Sequence, residues 1–235
     1  MPRGPRLDAP GTLHHVIVRG LDQQVIFRDE RDRNDFLRRV AALAEAKHLI
    51  VYAWSLMPNH AHLLIRTQAR SIGGCMRSLL TGYAGQFNRR HKRTSHLFQE
   101  RYKSIVIEED AYFLELVRYL HLNPLRAGIV EHLSALERFP WTGHSALLGH
   151  MPRPWYAIDE VLAHFGRGLH AARRAYRAFV AAGRPHERRP ELQGGGLRRS
   201  VGGWEVVTVL RRGREAYSSD ERVLGSGEFV EALYR

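Results

Sequence analysis

Met57-Pro58-Asn59-His60-Ala61-His62-Leu63-Leu64-Ile65 is the stretch whose reading decides how this chain folds. Pro58-Asn59 is a turn signal. The apolar run behind it reads as a strand that opens at His60 and continues to Thr67. Alternate residues of a strand share a face, with Cα atoms roughly 6–7 Å apart. His60 and His62 therefore point one way with Leu64, and Ala61, Leu63 and Ile65 point the other. Both imidazoles can reach one ion. In a chain with 14 histidines a His-x-His pair also arises by chance, so spacing alone does not make a site.

The flanking pattern supplies the rest of the fold. Upstream, His14 to Arg19 alternates as a first strand and stops at Gly20. From Asp29 to Lys47, Phe36, Leu37, Val40, Leu43 and Ala44 recur at helical spacing. Leu49 to Leu56 is a second strand, rich in β-branched and aromatic residues. Downstream, Ile72 to about His91 is a helix with Met76, Leu79, Leu80, Tyr83 and Phe87 on one core-facing stripe. Arg101 to Ile107 is a fourth strand. A third helix follows from Ala111 to about Leu122, and Glu108, Glu109 and Asp110 at its start suit the helix dipole. Pro124 disfavours the α conformation at Asn123, which places Asn123 at the helix's C-terminal end. The order β-α-β-β-α-β predicts an α+β fold, a ferredoxin-like antiparallel sheet with a helical C-terminal extension. Strands one and three are then central, and two crossover helices cover one face. The third helix covers the other face, the one carrying His60 and His62.

The predicted organisation is a basic leader over 1–11, a main domain over 12–150 and a helical extension over 151–182. A Pro-, Gly- and Arg-rich linker over 183–200 precedes a tail over 201–235. The extension holds one or two helices between Ile158 and Ala182. The tail has an alternating run, Val206 to Leu210, and a short final helix, with no role assigned.

Charge narrows the partners. Lys and Arg total 36 against 24 Asp and Glu, a net charge of +12. That is the footprint of a polyanion binder. The arginines are spread along the whole chain rather than gathered on one amphipathic helix, which favours nucleic acid over a membrane surface. Arg89-Arg90-His91-Lys92-Arg93 is a candidate phosphate clamp. The single cysteine, Cys75, excludes a disulfide framework and a Cys-rich zinc module. The chain has no apolar run long enough for a membrane span and no visible signal peptide, so a cytoplasmic, nucleoid-associated protein is expected.

A second motif lies about sixty residues beyond the histidines: Tyr119-Leu120-His121-Leu122-Asn123-Pro124-Leu125-Arg126-Ala127-Gly128. Tyr119 and Asn123 are neighbours on one helix face. His121 lies about 200° round the helix from Tyr119 and is expected to face away. Together the two motifs resemble the Y1 (HUH) tyrosine transposases of the IS200-like family. Within it they resemble most the single-domain group associated with repetitive extragenic palindromes. The resemblance runs from about His14 to Gly149.

The resemblance implies a single-stranded DNA endonuclease and strand transferase acting on hairpin DNA through a 5′-phosphotyrosine. It implies Tyr119 as nucleophile and His60, His62 and Asn123 as ligands of Mg²⁺ or Mn²⁺. A phenol has a pKa near 10, so it needs activation by a metal or a nearby cation. Lys103 and Arg126 are the candidate cations, and with Arg89, Arg90, Lys92 and Arg93 they form the expected DNA-binding set. Tyr102 and Tyr112 are the fallback nucleophiles. Two positions depart from the commoner pattern: Ala61 stands where a bulky apolar residue is usual, and Asn123 where the better-known insertion-sequence enzymes carry Gln. The alternative function is a non-cleaving DNA or RNA hairpin-binding protein descended from a transposase. A zinc hydrolase is disfavoured by the absence of a His-Glu-x-x-His pattern. The short connection from the fourth strand to the tyrosine helix predicts a monomer acting in cis, with a dimer as the alternative.

Overall fold

A computed structural model describes residues 10–99, 101–183 and 222–233. Its sheet runs β1 (Leu13–Arg19), β2 (Leu49–Met57), β3 (His60–Thr67) and β4 (Lys103–Ile107), in the spatial order β2-β3-β1-β4. Each neighbouring pair among these four is antiparallel. With α1 (Glu30–Glu45) and α2 (Ile72–Arg90) as the crossovers, this is the expected ferredoxin-like α+β sheet with β1 and β3 central. The leader as far as residue 9, nearly all of the linker and the run Val206 to Leu210 lie outside the described residues.

Local chemistry explains the crossover helices. The Asp29 carboxylate caps α1 by accepting from the Asp32 backbone N–H at 3.1 Å, and Ser71 caps α2 by accepting from Gly74 N–H. Between the helices, Phe27, Phe36 and Tyr83 meet edge-on or tilted at 5.3–5.6 Å. Val16, Val18, Ala61, Leu63 and Ile65 line the sheet face on this side and are fully buried. The small Ala61 is as buried as its larger neighbours.

The opposite face carries Arg19 with His60 and Met57 in one row, and Ile17 with His62, Ser55 and Lys103 in the next. It is covered by α3 (Glu109–Arg126), whose Phe113 packs on Tyr52 at 5.2 Å. This helix does not stop before Pro124, as local propensity suggests. Proline removes one N–H and one hydrogen bond, and the helix runs on to Arg126. Gly128, at φ +68°, then closes it. Gly128 N–H bonds Leu125 C=O at 3.1 Å and Ile129 N–H bonds Pro124 C=O at 2.9 Å, the two bonds of a Schellman cap. Asn123 thus sits within the last turn of α3 rather than beyond it.

The sequence pattern missed two short helices, α4 (Leu133–Arg138) and α5 (Gly143–Leu147). They lead into α6 (Ile158–Ala163) and α7 (Leu169–Ala182), which resolve the predicted extension into two helices. This segment lies along the outer side of β2. Leu56 N–H bonds Trp141 C=O at 2.9 Å, and Ala157 N–H bonds Val51 C=O at 3.1 Å. On the other side of the sheet, β5 (Val223–Leu224) pairs in parallel with β4 and is followed by α8 (Gly227–Leu233). Residues 222–233 of the tail therefore belong to the fold.

Candidate active site

His60 opens β3 immediately after the Pro58-Asn59 turn. That turn is held from outside: Ile26 and Phe27 N–H bond Pro58 C=O at 2.8 and 3.1 Å, and Gly20 N–H bonds Asn59 C=O at 2.9 Å. A Cβ at position 20 would stand 2.1 Å from the Gln24 carbonyl oxygen, so only glycine allows this approach. His60 Nδ1 lies 2.7 Å from Asn59 Oδ1. A carboxamide oxygen only accepts, so His60 carries its proton on Nδ1 and keeps a bare Nε2. His62 Nδ1 lies 3.0 Å from Nε2 of His15 on β1, with the ring centroids 5.2 Å apart and the ring planes 24° from parallel. The His60 and His62 rings meet nearly perpendicular at 5.0 Å.

The tyrosine helix completes the cluster. The Tyr119 ring stands edge-on to His62 at 6.4 Å and to His15 at 6.5 Å. The Arg126 guanidinium lies 5.1 Å over the Tyr119 ring, and its Nη1 donates to the Tyr119 carbonyl. Asn123 follows one turn along the same helix face. Its Nδ2 is buried without a hydrogen-bond partner. Tyr112 is two turns back, about 10 Å along the helix axis. His121 does face away, as its helical position requires: its Nδ1 bonds the Tyr176 hydroxyl at 2.8 Å, and His144 Nδ1 meets the same hydroxyl at 2.7 Å.

Burial sets the protonation of these groups. It lowers the His60 pKa to about 4, with Arg19 adding to the effect. It holds His62 well below the usual histidine range, helped by His15, His60 and Arg19. Burial likewise depresses His121, and takes His144 to about 3. All four are neutral at pH 7, the form in which imidazole binds metals. A depressed folded-state pKa means that only the unfolded chain takes up protons between pH 6.5 and about 4. Stability is therefore complete above pH 6.5 and is lost as pH falls through that window. Each such histidine contributes up to about 1.4 kcal/mol per pH unit. Urea unfolding of the metal-free protein at pH 7, 6 and 5 is expected to show a falling midpoint. A midpoint unchanged from pH 7 to 5 would contradict the buried, neutral assignment.

The family profile described as "Transposase IS200 like" matches residues 11–123, from the start of β1 through Asn123. Residues 11–123 belong to the IS200-like transposase family. Among solved structures, a REP-associated tyrosine transposase bound to a REP hairpin aligns with a TM-score of 0.48 and 17% identity. The alignment covers 68% of this chain and 90% of that one. A transposase-like protein from Deinococcus radiodurans R1 aligns with a TM-score of 0.34 and 21% identity, over 49% of this chain and 92% of that one. No curated protein sequence matches the chain.

The transposase domain brings together His60, His62, Tyr119 and Arg126, with Asn123 a turn from the tyrosine. Lys103 is exposed in the same row of the sheet as His62, two strands away, roughly 10 Å. The basic run is placed differently. Arg89, Lys92 and Arg93 sit at the end of α2, in the layer opposite α3. Arg90 is not available as a phosphate clamp, because its guanidinium binds the carboxylates of Asp29 and Asp32 and ties α2 to the start of α1. Arg93 bonds Gln24 and Ser95, whereas Lys92 is exposed. Three contributors to this cluster were not singled out in the sequence: His15, Arg19 and Asn59. Strand alternation puts His15 and Arg19 on one face, but only the β1–β3 register shows that this face is the one carrying His60 and His62.

Among the described residues, no three His, Cys, Asp or Glu side chains converge as a metal-ligand set. The available donors in the transposase domain are two neutral imidazoles and the Asn123 amide. Water and phosphate oxygens would have to complete such a set, and that composition suits Mg²⁺ or Mn²⁺ better than Zn²⁺. No helix among the described residues is long and apolar enough to cross a membrane.

Proposed function

We propose that the protein cuts and rejoins single-stranded DNA beside a hairpin, with Tyr119 as nucleophile and with Mg²⁺ or Mn²⁺ held by His60, His62 and Asn123. The observation that carries this reading is the contact of the Tyr119 ring with the histidine cluster on the covered face of the sheet. Hairpin DNA is the substrate implied by the resemblance of the two motifs, and the +12 charge suits any nucleic acid. When bound, the metal would act as a Lewis acid on the scissile phosphate.

The chain's own residues account for the rest. His60, neutral and held at Nδ1 by Asn59, presents an Nε2 lone pair, and the neutral His62 ring lies beside it. Arg126, always charged, lies over the Tyr119 ring and favours the phenolate. The Tyr119 oxygen forms a bond to phosphorus as the P–O3′ bond breaks. The phenol proton is lost to solvent, and the departing O3′ takes up a proton. The products are a 5′-phosphotyrosine and a free 3′-OH. The reverse attack by a 3′-OH reseals the strand without ATP, because the phosphodiester energy is kept in the phosphotyrosine.

Tyr119 is only 4% exposed, so DNA entry requires the residues around the phenol to give way. That burial is the observation favouring the alternative, a hairpin-binding protein that does not cut. Incubation with labelled single-stranded hairpin oligonucleotides and Mn²⁺ separates the two. A covalent adduct stable to denaturation is expected. Chelation is expected to slow its formation by at least about 10²-fold, the scale of several kcal/mol of charge stabilisation. Tight hairpin binding with no adduct would establish the binding protein instead.

A further inference from the structure

We propose that His15 is a positioning residue that holds His62 in its metal-binding form, an inference resting on the metal-dependent reading above. His15 pairs across the sheet with Leu64, one pair along from the Ile17–His62 pair on the same face. Such diagonal neighbours are within reach of aromatic side chains. His15 is fully buried and His62 is 5% exposed. Their Nε2 and Nδ1 atoms stand 3.0 Å apart, and one of them must carry the shared proton.

The choice decides the chemistry. With the proton on His62 Nδ1, donated to a bare His15 Nε2, His62 keeps a bare Nε2 and can bind a cation. With the proton on His15, the neutral His62 carries its own proton on Nε2 and that nitrogen is blocked. His60 is arranged the same way through Asn59 Oδ1. Both imidazoles are thus gripped at Nδ1 so that Nε2 is offered, the usual second partner of a ligating histidine. The two ring planes are 24° apart, so the rings lie nearly coplanar across the hydrogen bond, with His62 Nδ1 aimed at His15 Nε2.

The test is Mn²⁺ affinity of the intact protein, measured by calorimetry without DNA, together with its thermal transition. His15→Phe keeps an aromatic ring in place but removes the acceptor. It is expected to weaken Mn²⁺ binding about 10–100-fold. His15→Gln, whose Oε1 can accept from His62 Nδ1–H, is expected to recover most of that loss. If the Phe variant lacks a cooperative thermal transition, His15→Met replaces it as the variant without an acceptor of comparable strength. His62→Ala is the control. Should His62→Ala bind Mn²⁺ as well as the parent, the metal reading falls and this inference with it. Should His62→Ala lose binding while the acceptor-free variant binds like the parent, only the role of His15 is overturned. That role is equally overturned if Gln recovers nothing, since a purely structural role would not depend on an acceptor.

Discussion

Tyr119→Phe is expected to eliminate both strand cleavage and the covalent adduct while leaving hairpin binding near the parental level. The substitution removes one oxygen and keeps the ring that packs against His15 and His62. The cation stacked on the ring also keeps its partner. Loss of a nucleophile elsewhere costs about 10⁶-fold in turnover, so the residual rate should be below detection. Binding depends mainly on phosphate contacts, which the phenol oxygen does not supply. The readout is a denaturing gel for the adduct beside a gel shift for binding. An adduct that survives in Tyr119→Phe and maps by mass spectrometry to Tyr102 or Tyr112 would reassign the nucleophile.

A mixture of Tyr119→Phe and His60→Ala proteins is expected to remain inactive. In the structure Tyr119 lies against the histidines of its own chain. A single residue, Glu108, separates β4 from α3, and its carboxylate accepts from Ser226 N–H at 2.6 Å and from Ser226 Oγ at 3.0 Å. The tyrosine helix cannot be handed to another copy without breaking that clamp. The outer side of β2, where another sheet could join, is bonded to Trp141 and Ala157. In a trans architecture each protein would supply what the other lacks. Cleavage returning in the mixture, with a dimer mass by light scattering, would refute the cis arrangement.

Much of the fold could be read because its signals are local. The bounds of β3 were legible from the Pro-Asn turn and the apolar run, and those of α1 and α2 from their stripes and polar ends. The Tyr-x-x-x-Asn spacing and the His-x-His spacing are each periodicities of one element. What was illegible depends on partners distant in the chain. The arginine run after Phe87 looks like a uniform basic patch, but Arg90 is matched to carboxylates 58 and 61 positions earlier. His15 needed the register of β1 against β3. The end of α3 was misplaced because proline's local preference was outweighed by a Schellman cap and by packing on the sheet. The two residues of β5 carry no periodicity that could announce a strand, and they exist as one only beside Val106 and Ile107.

The three main-chain bonds from Gly20, Ile26 and Phe27 onto the Pro58-Asn59 turn have a thermodynamic consequence for anything that binds there. They fix the corner from which His60 projects, so the loss of backbone freedom is incurred when the protein folds rather than when a ligand arrives. A preorganised site of this kind spends little of its intrinsic affinity on ordering itself. It also makes the segment between β1 and α1, which touches no proposed ligand, a determinant of how well the histidine pair can bind.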